Sequence, residues 1–327
     1  MDLSDFRSFY NIKTEKEFEN FCFKLVKVHY ELNPIYRSFC DLINTPPDSI
    51  NSYSQIPFLP ISFFKTHDVK IFCEKEEAIF QSSMTSSIQP SRHFIKNLSD
   101  YENSFRKGFE YFYGEISDYT ILALLPGYIE RKNSSLIYMV SNLIQKTKSK
   151  HSGFYINDLK NLKNTLEEID SKGYKTLLIG VSFALLEFIN KYNFNLKNTI
   201  IIETGGMKGK LKELVRDELH EKLSKGFGVN NIHSEYGMTE LFSQAYSKEQ
   251  GLFICPPWMK VFTRDIDDPL FFDKSKPGGL NIIDLANFNT CPFIATQDLG
   301  KMHLDGSFEV LGRFDQSEIR GCNLMVI

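Results

Sequence analysis

The sequence is short of several features that would place it in a familiar class. Its six cysteines (Cys22, Cys40, Cys73, Cys255, Cys291 and Cys322) include no C-x-x-C pair. That argues against a zinc site or a disulfide-framed secreted scaffold and for reduced thiols in a cytoplasmic protein. Neither sign of charge dominates: the formal net charge is −3 at pH 7, so no basic face stands ready for nucleic acid. The opening Met1-Asp2-Leu3-Ser4-Asp5 is acidic and polar, unlike a signal peptide. The longest apolar run, Thr176 to Ile189, is too short for a membrane span and is interrupted by Ser182 and Glu187. No Ser-His-Asp arrangement, internal repeat, low-complexity tract or flexible linker can be discerned. What remains is 327 residues, 42% of them hydrophobic, enough for one large domain or two smaller ones with a substantial core.

What is present is an alternation. Thr14-Glu15-Lys16-Glu17 is a capping box that opens a helix through about His29, and a second helix follows Pro34. Ile56 to Lys65 holds too many prolines for a regular element. Ser99 to Glu102 is another capping box, for a helix to about Phe112. Thr120 to Leu125, Lys175 to Val181 and Thr199 to Glu203 read as strands, and Ser134 to Ile144 is apolar at helical spacing. Ser182 is placed to cap the helix after the second of these strands. An amphipathic helix over Lys210 to Leu223 is stopped by Gly226. Short strand–helix alternation predicts an α/β fold, with mostly parallel sheets and helices on both faces. Beyond Gly251 the texture changes to short strands and turns. A hairpin with an Asp-Gly turn falls over His303 to Phe308, and the whole segment suits an antiparallel, barrel-like subdomain. The expected division is an α/β core over 1–250 and a β-rich subdomain over 251–327 that closes the site.

The chain is organised around Asn231 to Gln244, N-I-H-S-E-Y-G-M-T-E-L-F-S-Q. Asn231 to Ser234 runs like a strand end, Tyr236-Gly237 makes a sharp turn, and Thr239 to Ala245 reads as a helix start. Thr239 would cap that helix, with Glu240 in its first turn. Right-handed crossovers would bring Thr204-Gly205-Gly206 to the same sheet edge, where open α/β sheets bind ligands. Upstream, Phe80 to His93 reads F-Q-S-S-M-T-S-S-I-Q-P-S-R-H. Its clustered hydroxyls and free N–H groups suit a phosphate cradle, and Arg92 and His93 could also reach phosphate.

Y-G-M-T-E resembles the adenylate-binding signature of the acyl-activating superfamily of acyl-CoA synthetases and peptide-synthetase adenylation domains. Within it, S-E-Y-G-M-T-E-L is most similar to the acyl-protein synthetase (LuxE-like) family and its phenylacetate-CoA-ligase relatives. Thr296-Gln297-Asp298-Leu299-Gly300, Asp305-Gly306 and Leu311-Gly312-Arg313-Phe314-Asp315 resemble the superfamily's T-G-D-x-G, D-G and G-R-x-D order, with Gln297 replacing a glycine. The Ile56 to Lys65 segment resembles the one that precedes the phosphate loop in acyl-protein synthetases. The resemblance implies the adenylate-forming architecture, ATP and Mg²⁺ as cofactors, and a carboxylic acid substrate, fatty by family. It implies phosphate contacts from Ser82, Ser83, Thr85, Ser86 and Thr239, and an adenine site of Thr204, Gly205, Gly206, Tyr236, Gly237 and Met238. Asp298 would hold the ribose hydroxyls and Arg313 the ribose or phosphate, while Glu240 would hold the metal. Met84 and Ser87 stand where the family has glycines.

Most relatives continue into a mobile lid domain, whereas this sequence stops at Ile327, as acyl-protein synthetases do. In them a cysteine near the C-terminus takes the acyl group as a thioester, and Arg320-Gly321-Cys322 matches that position. The partners implied are an acyl acceptor protein or a reductase. Two alternatives remain: an acyl-CoA or acyl-carrier ligase lacking its own lid, and a degenerate adenylate-binding protein without turnover.

Overall fold

A computed structural model describes residues 3–82, 89–127, 133–205, 215–272 and 276–313. The helices are α1 (Glu15–Leu32), α2 (Pro34–Leu42), α3 (Phe63–Thr66), α4 (Leu98–Tyr113), α5 (Ser135–Lys146), α6 (Leu159–Ser171), α7 (Ser182–Lys191) and α8 (Arg216–Phe227). The strands are β1 (Leu59–Pro60), β2 (Ala78–Gln81), β3 (Arg92–Ile95), β4 (Thr120–Leu124), β5 (Gly153–Phe154), β6 (Thr176–Val181) and β7 (Thr199–Thr204), followed by β8 (His233–Tyr236), β9 (Ala245–Ser247), β10 (Phe253–Ile254), β11 (Met259–Arg264), β12 (Gly278–Asp284), β13 (Phe293–Met302) and β14 (Phe308–Arg313). The chain divides into two compact units, one of residues 80–83 and 98–254, the other of residues 1–79, 84–97 and 255–327.

The first of these units is the parallel α/β layer expected from the alternation. Strands run in the order β5-β4-β6-β7-β8, all parallel, and β9 and β10 then add antiparallel. Near-continuous apolar runs such as Thr-Ile-Leu-Ala-Leu in β4 suit strands covered on both faces, and β4 is buried throughout. Successive side chains point to opposite faces. Leu122, Leu178 and Ile201 join Leu162, Leu166, Leu185, Phe188, Leu223 and Phe227 of α6, α7 and α8 in one cluster. Ile121, Leu177, Ile179 and Ile202 face Phe109 of α4 and Met139, Val140 and Leu143 of α5 around a small apolar cavity. The start of β7 is pinned by buried Asp170, whose carboxylate accepts from the Asn198 N–H and the Thr199 hydroxyl, both at 2.8 Å.

The second unit combines early and late segments of the described chain. Strands β11, β12, β13 and β14 form an antiparallel sheet with β1 added parallel to β13. The β13–β14 turn is the expected hairpin, with Gly306 at φ 87° and its N–H donating to the His303 carbonyl. The Thr14–Glu17 capping box forms as the sequence indicates, and α1 docks through buried His29, whose ring lies 3.0 Å from the Phe288 carbonyl.

Several local expectations fail. The Ser99–Glu102 capping box does not open α4, which already begins at Leu98 and holds Ser99 inside its first turn. Gly226 does not end its helix. Gly228 caps it at φ 70°, and Gly226 lies where a Cβ would strike Ile189. Ser182 makes no capping bond at the start of α7. Its hydroxyl instead donates to Glu203 Oε2 (3.1 Å) and the Gly205 carbonyl (3.0 Å). Residues 239–245 form no helix. One Leu241 N–H to Met238 carbonyl bond of 3.1 Å closes a turn, and the chain returns as β9 against β8. The apolar pattern there is too short to nucleate a helix, and burial of Leu241 and Phe242 favours the tighter return.

Candidate active site

Within the parallel unit, the ends of β7 and β8 lie side by side in register, Thr204 beside Glu235. The Gly205 turn (φ 72°) and the Tyr236–Glu240 turn therefore leave the same C-terminal edge. Of the residues singled out in the sequence, this unit brings together Thr204, Gly205, Tyr236, Gly237, Met238, Thr239 and Glu240. Glu240 is buried, whereas Gly237, Met238 and Thr239 are half-buried. The Tyr236 ring is buried and meets Phe253 edge-on at 5.8 Å, and the Arg216 guanidinium lies 4.9 Å from that Phe253 ring. Gly237 is needed for space, since a Cβ there would come 2.5 Å from Glu235 Oε1 and 3.3 Å from Gln244 Cγ. Ser82 also belongs to this unit and is half-buried.

Sequence reasoning missed the charged network beneath these turns. Glu203 and Glu235 are both buried, on adjacent strands. Glu203 Oε1 lies 3.6 Å from His220 Nε2 and 3.9 Å from Arg216 Nε. Burial alone would raise its pKa, but His220, the Arg216 charge and Ser234 outweigh burial and hold it below the ordinary carboxylate value. Among the described residues Glu235 has no such cation. It accepts a short hydrogen bond from the Thr204 hydroxyl. Burial, opposed by that bond and reinforced by the Glu203 charge, pushes it up to about 7. His233, next to it in β8, is 3.1 Å from the Tyr113 hydroxyl, and burial with the Lys248 and His220 charges pushes it down to about 4. The available signal was an acid near the end of each of two parallel strands, Glu203 after the apolar run of β7 and Glu235 directly before the Tyr236-Gly237 turn.

In the other unit Asp298 and Arg313 face each other across the β13–β14 pair, with Arg313 Nε 3.0 Å from Asp298 Oδ1. Asp298 is buried, and the Arg313 side chain is half exposed. The missed residue here is Arg264, buried at the end of β11. It donates to the Leu280 carbonyl, Asn281 Oδ1 and the Thr296 carbonyl. Thr296 Oγ1 in turn accepts from the Asp298 N–H at 3.1 Å. His93 is fully buried and binds Asn287 Oδ1 and Thr290 Oγ1, each at 2.9 Å, so its ring is a structural member of this unit and not a phosphate ligand. Ser83, Thr85, Ser86, Gly206 and Cys322 lie outside the described residues.

A family model described as acyl-protein synthetase, LuxE, matches residues 4–327. The chain belongs to this family. The chain also shares its fold with adenylate-forming ligases. A 2-hydroxyisobutyryl-CoA ligase in complex with 2-HIB-AMP and CoA superposes with a TM-score of 0.69 at 11% identity, covering 92% of this chain and 70% of that one. ATP-bound MatB from Rhodopseudomonas palustris gives 0.55 at 14% identity, over 74% of this chain and 49% of that one, so the chain spans about half the length of MatB. No curated protein matches it.

No helix among the described residues is long and apolar enough to cross a membrane. Among the same residues no three His, Cys, Asp or Glu side chains gather as a metal site. A buried carboxylate such as that of Glu240 fits Mg²⁺ that arrives with phosphates, because this ion takes one or two carboxylates plus phosphate oxygens and water.

Proposed function

We propose that this acyl-protein synthetase uses ATP to convert a carboxylic acid, a fatty acid by family, into an acyl-adenylate with release of pyrophosphate. The acyl group then passes to Cys322 and on to an acceptor protein or reductase. The observation that carries the reading is the pairing of two family motifs at one sheet edge, the Thr204–Gly205 turn beside the Tyr236–Glu240 turn. The Tyr236 ring would stack on adenine, and the Asp298 carboxylate, with two acceptor oxygens, suits the vicinal ribose hydroxyls. Arg313 suits phosphate or ribose, and the Thr239 hydroxyl would donate to phosphate. Mg²⁺ on Glu240 would neutralise the triphosphate that otherwise repels an incoming carboxylate. Thr239 would orient the phosphates directly and Glu240 through the ion it would hold, and Cys322 as thiolate attacks the mixed anhydride, displacing AMP.

Burial pushes the thiols of Cys40 and Cys291 up to about 12, which leaves them inert, so Cys73, which is exposed, is the competitor that a Cys73→Ser control removes. Incubation with ATP and labelled fatty acid leaves hydroxylamine-sensitive label on the wild type and none on Cys322→Ser. Equal labelling of both removes Cys322 as carrier. ATP–pyrophosphate exchange across a panel of carboxylic acids tests the adenylation step, and absence of exchange with every acid overturns it.

A further inference from the structure

We propose that Glu235 is a positioning residue for the nucleotide, tying the Thr204–Gly205 turn to the Tyr236–Glu240 turn through a buried acid pair with Glu203. This rests on the adenylation reading above. The geometry is specific to the two strand ends. Glu235 Oε2 takes the Thr204 hydroxyl, one residue before Gly205. Its Oε1 lies under Gly237, 2.5 Å from where a Cβ would sit. One carboxyl group thus touches the last residue of β7 and the backbone of the neighbouring turn. Glu203 secures the other side, accepting from the Ser182 hydroxyl, which also reaches the Gly205 carbonyl.

The two acids are not equivalent. Around Glu203, α8 supplies Arg216 and His220. The titratable groups facing Glu235 are Glu203 on β7, His233 on its own strand, Tyr246 opposite it on β9, and Tyr113 on α4. Burial holds Tyr246 and Tyr113 above the ordinary phenol value, and His233 stays neutral at pH 7. Among the described residues no cation pairs with Glu235, so ionising it puts a second buried negative charge beside Glu203. That charge is relieved only by moving the carboxylate out from under Gly237, which displaces the turn. With half-protonation near 7, raising the pH from 6 to 8 cuts the competent fraction about tenfold, and apparent affinity falls with that fraction.

The experiment measures AMP binding by calorimetry on the full chain at pH 6, 7 and 8, for wild type, Glu235→Gln and Glu235→Leu. Comparing proteins at each pH cancels the titration of AMP's own phosphate. Glu235→Gln keeps an acceptor for Thr204 and cannot ionise, so it should bind like wild type at pH 6 and about tenfold more tightly than wild type at pH 8. Glu235→Leu, with no acceptor, should bind more weakly than Glu235→Gln at all three values. A constant wild-type to Glu235→Gln ratio across the range overturns the positioning role while leaving the nucleotide site standing. Failure of wild type to bind AMP at any pH overturns the adenylation reading, and the positioning role with it.

Discussion

At the residue scale the clearest assignment is the Asp298–Arg313 pair, because its two members differ so much in exposure. Arg313 is half exposed, and an ion pair to such a side chain is worth only about 0.5 kcal/mol. Arg313→Ala should therefore leave the denaturation midpoint nearly unchanged while weakening ATP binding at least about tenfold, as expected for loss of a charge-assisted contact of about 1.5–3 kcal/mol. Equal ATP affinity in variant and wild type, by calorimetry, would remove Arg313 from the nucleotide site. Arg264 predicts the opposite. It is buried with three protein acceptors, and Arg264→Met strands those acceptors at about 1–3 kcal/mol each. The variant should lose several kcal/mol in urea denaturation. It should also lose nucleotide affinity, because Thr296 no longer fixes the Asp298 N–H.

At the element scale, agreement between sequence and structure followed the range of the forces involved. Helix α1 was legible from Thr14 and Glu17 because a capping box is complete within four residues. The parallel strands β4, β6 and β7 were legible because burial on both faces leaves unbroken apolar runs. The turn after Tyr236 was not, since Thr239 and Glu240 carry helix-start chemistry and only the pairing of β9 with β8 decides against it. Ser182 was misread for a related reason: its partner, Glu203, is 21 residues away. The pairing of the β7 and β8 turns was legible from crossover handedness, whereas Arg264 was not, because nothing local marks a guanidinium that donates to two other strands. Gly228 carries the element-scale prediction. At φ 70°, with a Cβ position 2.8 Å from the Asn195 Cα and the Phe194 carbonyl, Gly228→Ala should cost about 1–3 kcal/mol in urea. Gly226→Ala is no neutral control, because its Cβ would lie 2.6 Å from the Ile189 Cβ, an atom with little freedom to move. Unchanged or increased stability of Gly228→Ala would contradict the cap assignment.

At the scale of the whole molecule, the buried titratable groups set the response to pH. Burial pushes His29 down to about 3 and His233 to about 4. The unfolded chain therefore takes up their protons first, and stability is lost as pH falls below about 6.5. Glu235 has the opposite sign. Its raised pKa makes the folded state hold a proton that the unfolded state releases, so stability falls as pH rises from about 4.5 to 7. Between pH 4.5 and 6.5 the two histidines oppose the one acid. Glu235→Gln should steepen the rise of stability with pH in that interval by about 1.4 kcal/mol per pH unit, read from urea titrations at half-unit steps. An unchanged slope would mean that Glu235 is ionised throughout.

The glycines beside Arg264 carry a genealogical corollary. A Cβ on Gly279 would sit 2.5 Å from the guanidinium carbon, and one on Gly278 would overlap the Arg264 carbonyl. Gly279 therefore forms a single heritable unit with the Arg264 side chain, whereas Gly278 is fixed by the backbone whatever residue stands at that position of β11. Descendants that trade the arginine for a shorter side chain are released to acquire bulk at Gly279, but those that keep it are not, so drift at these sites should be correlated.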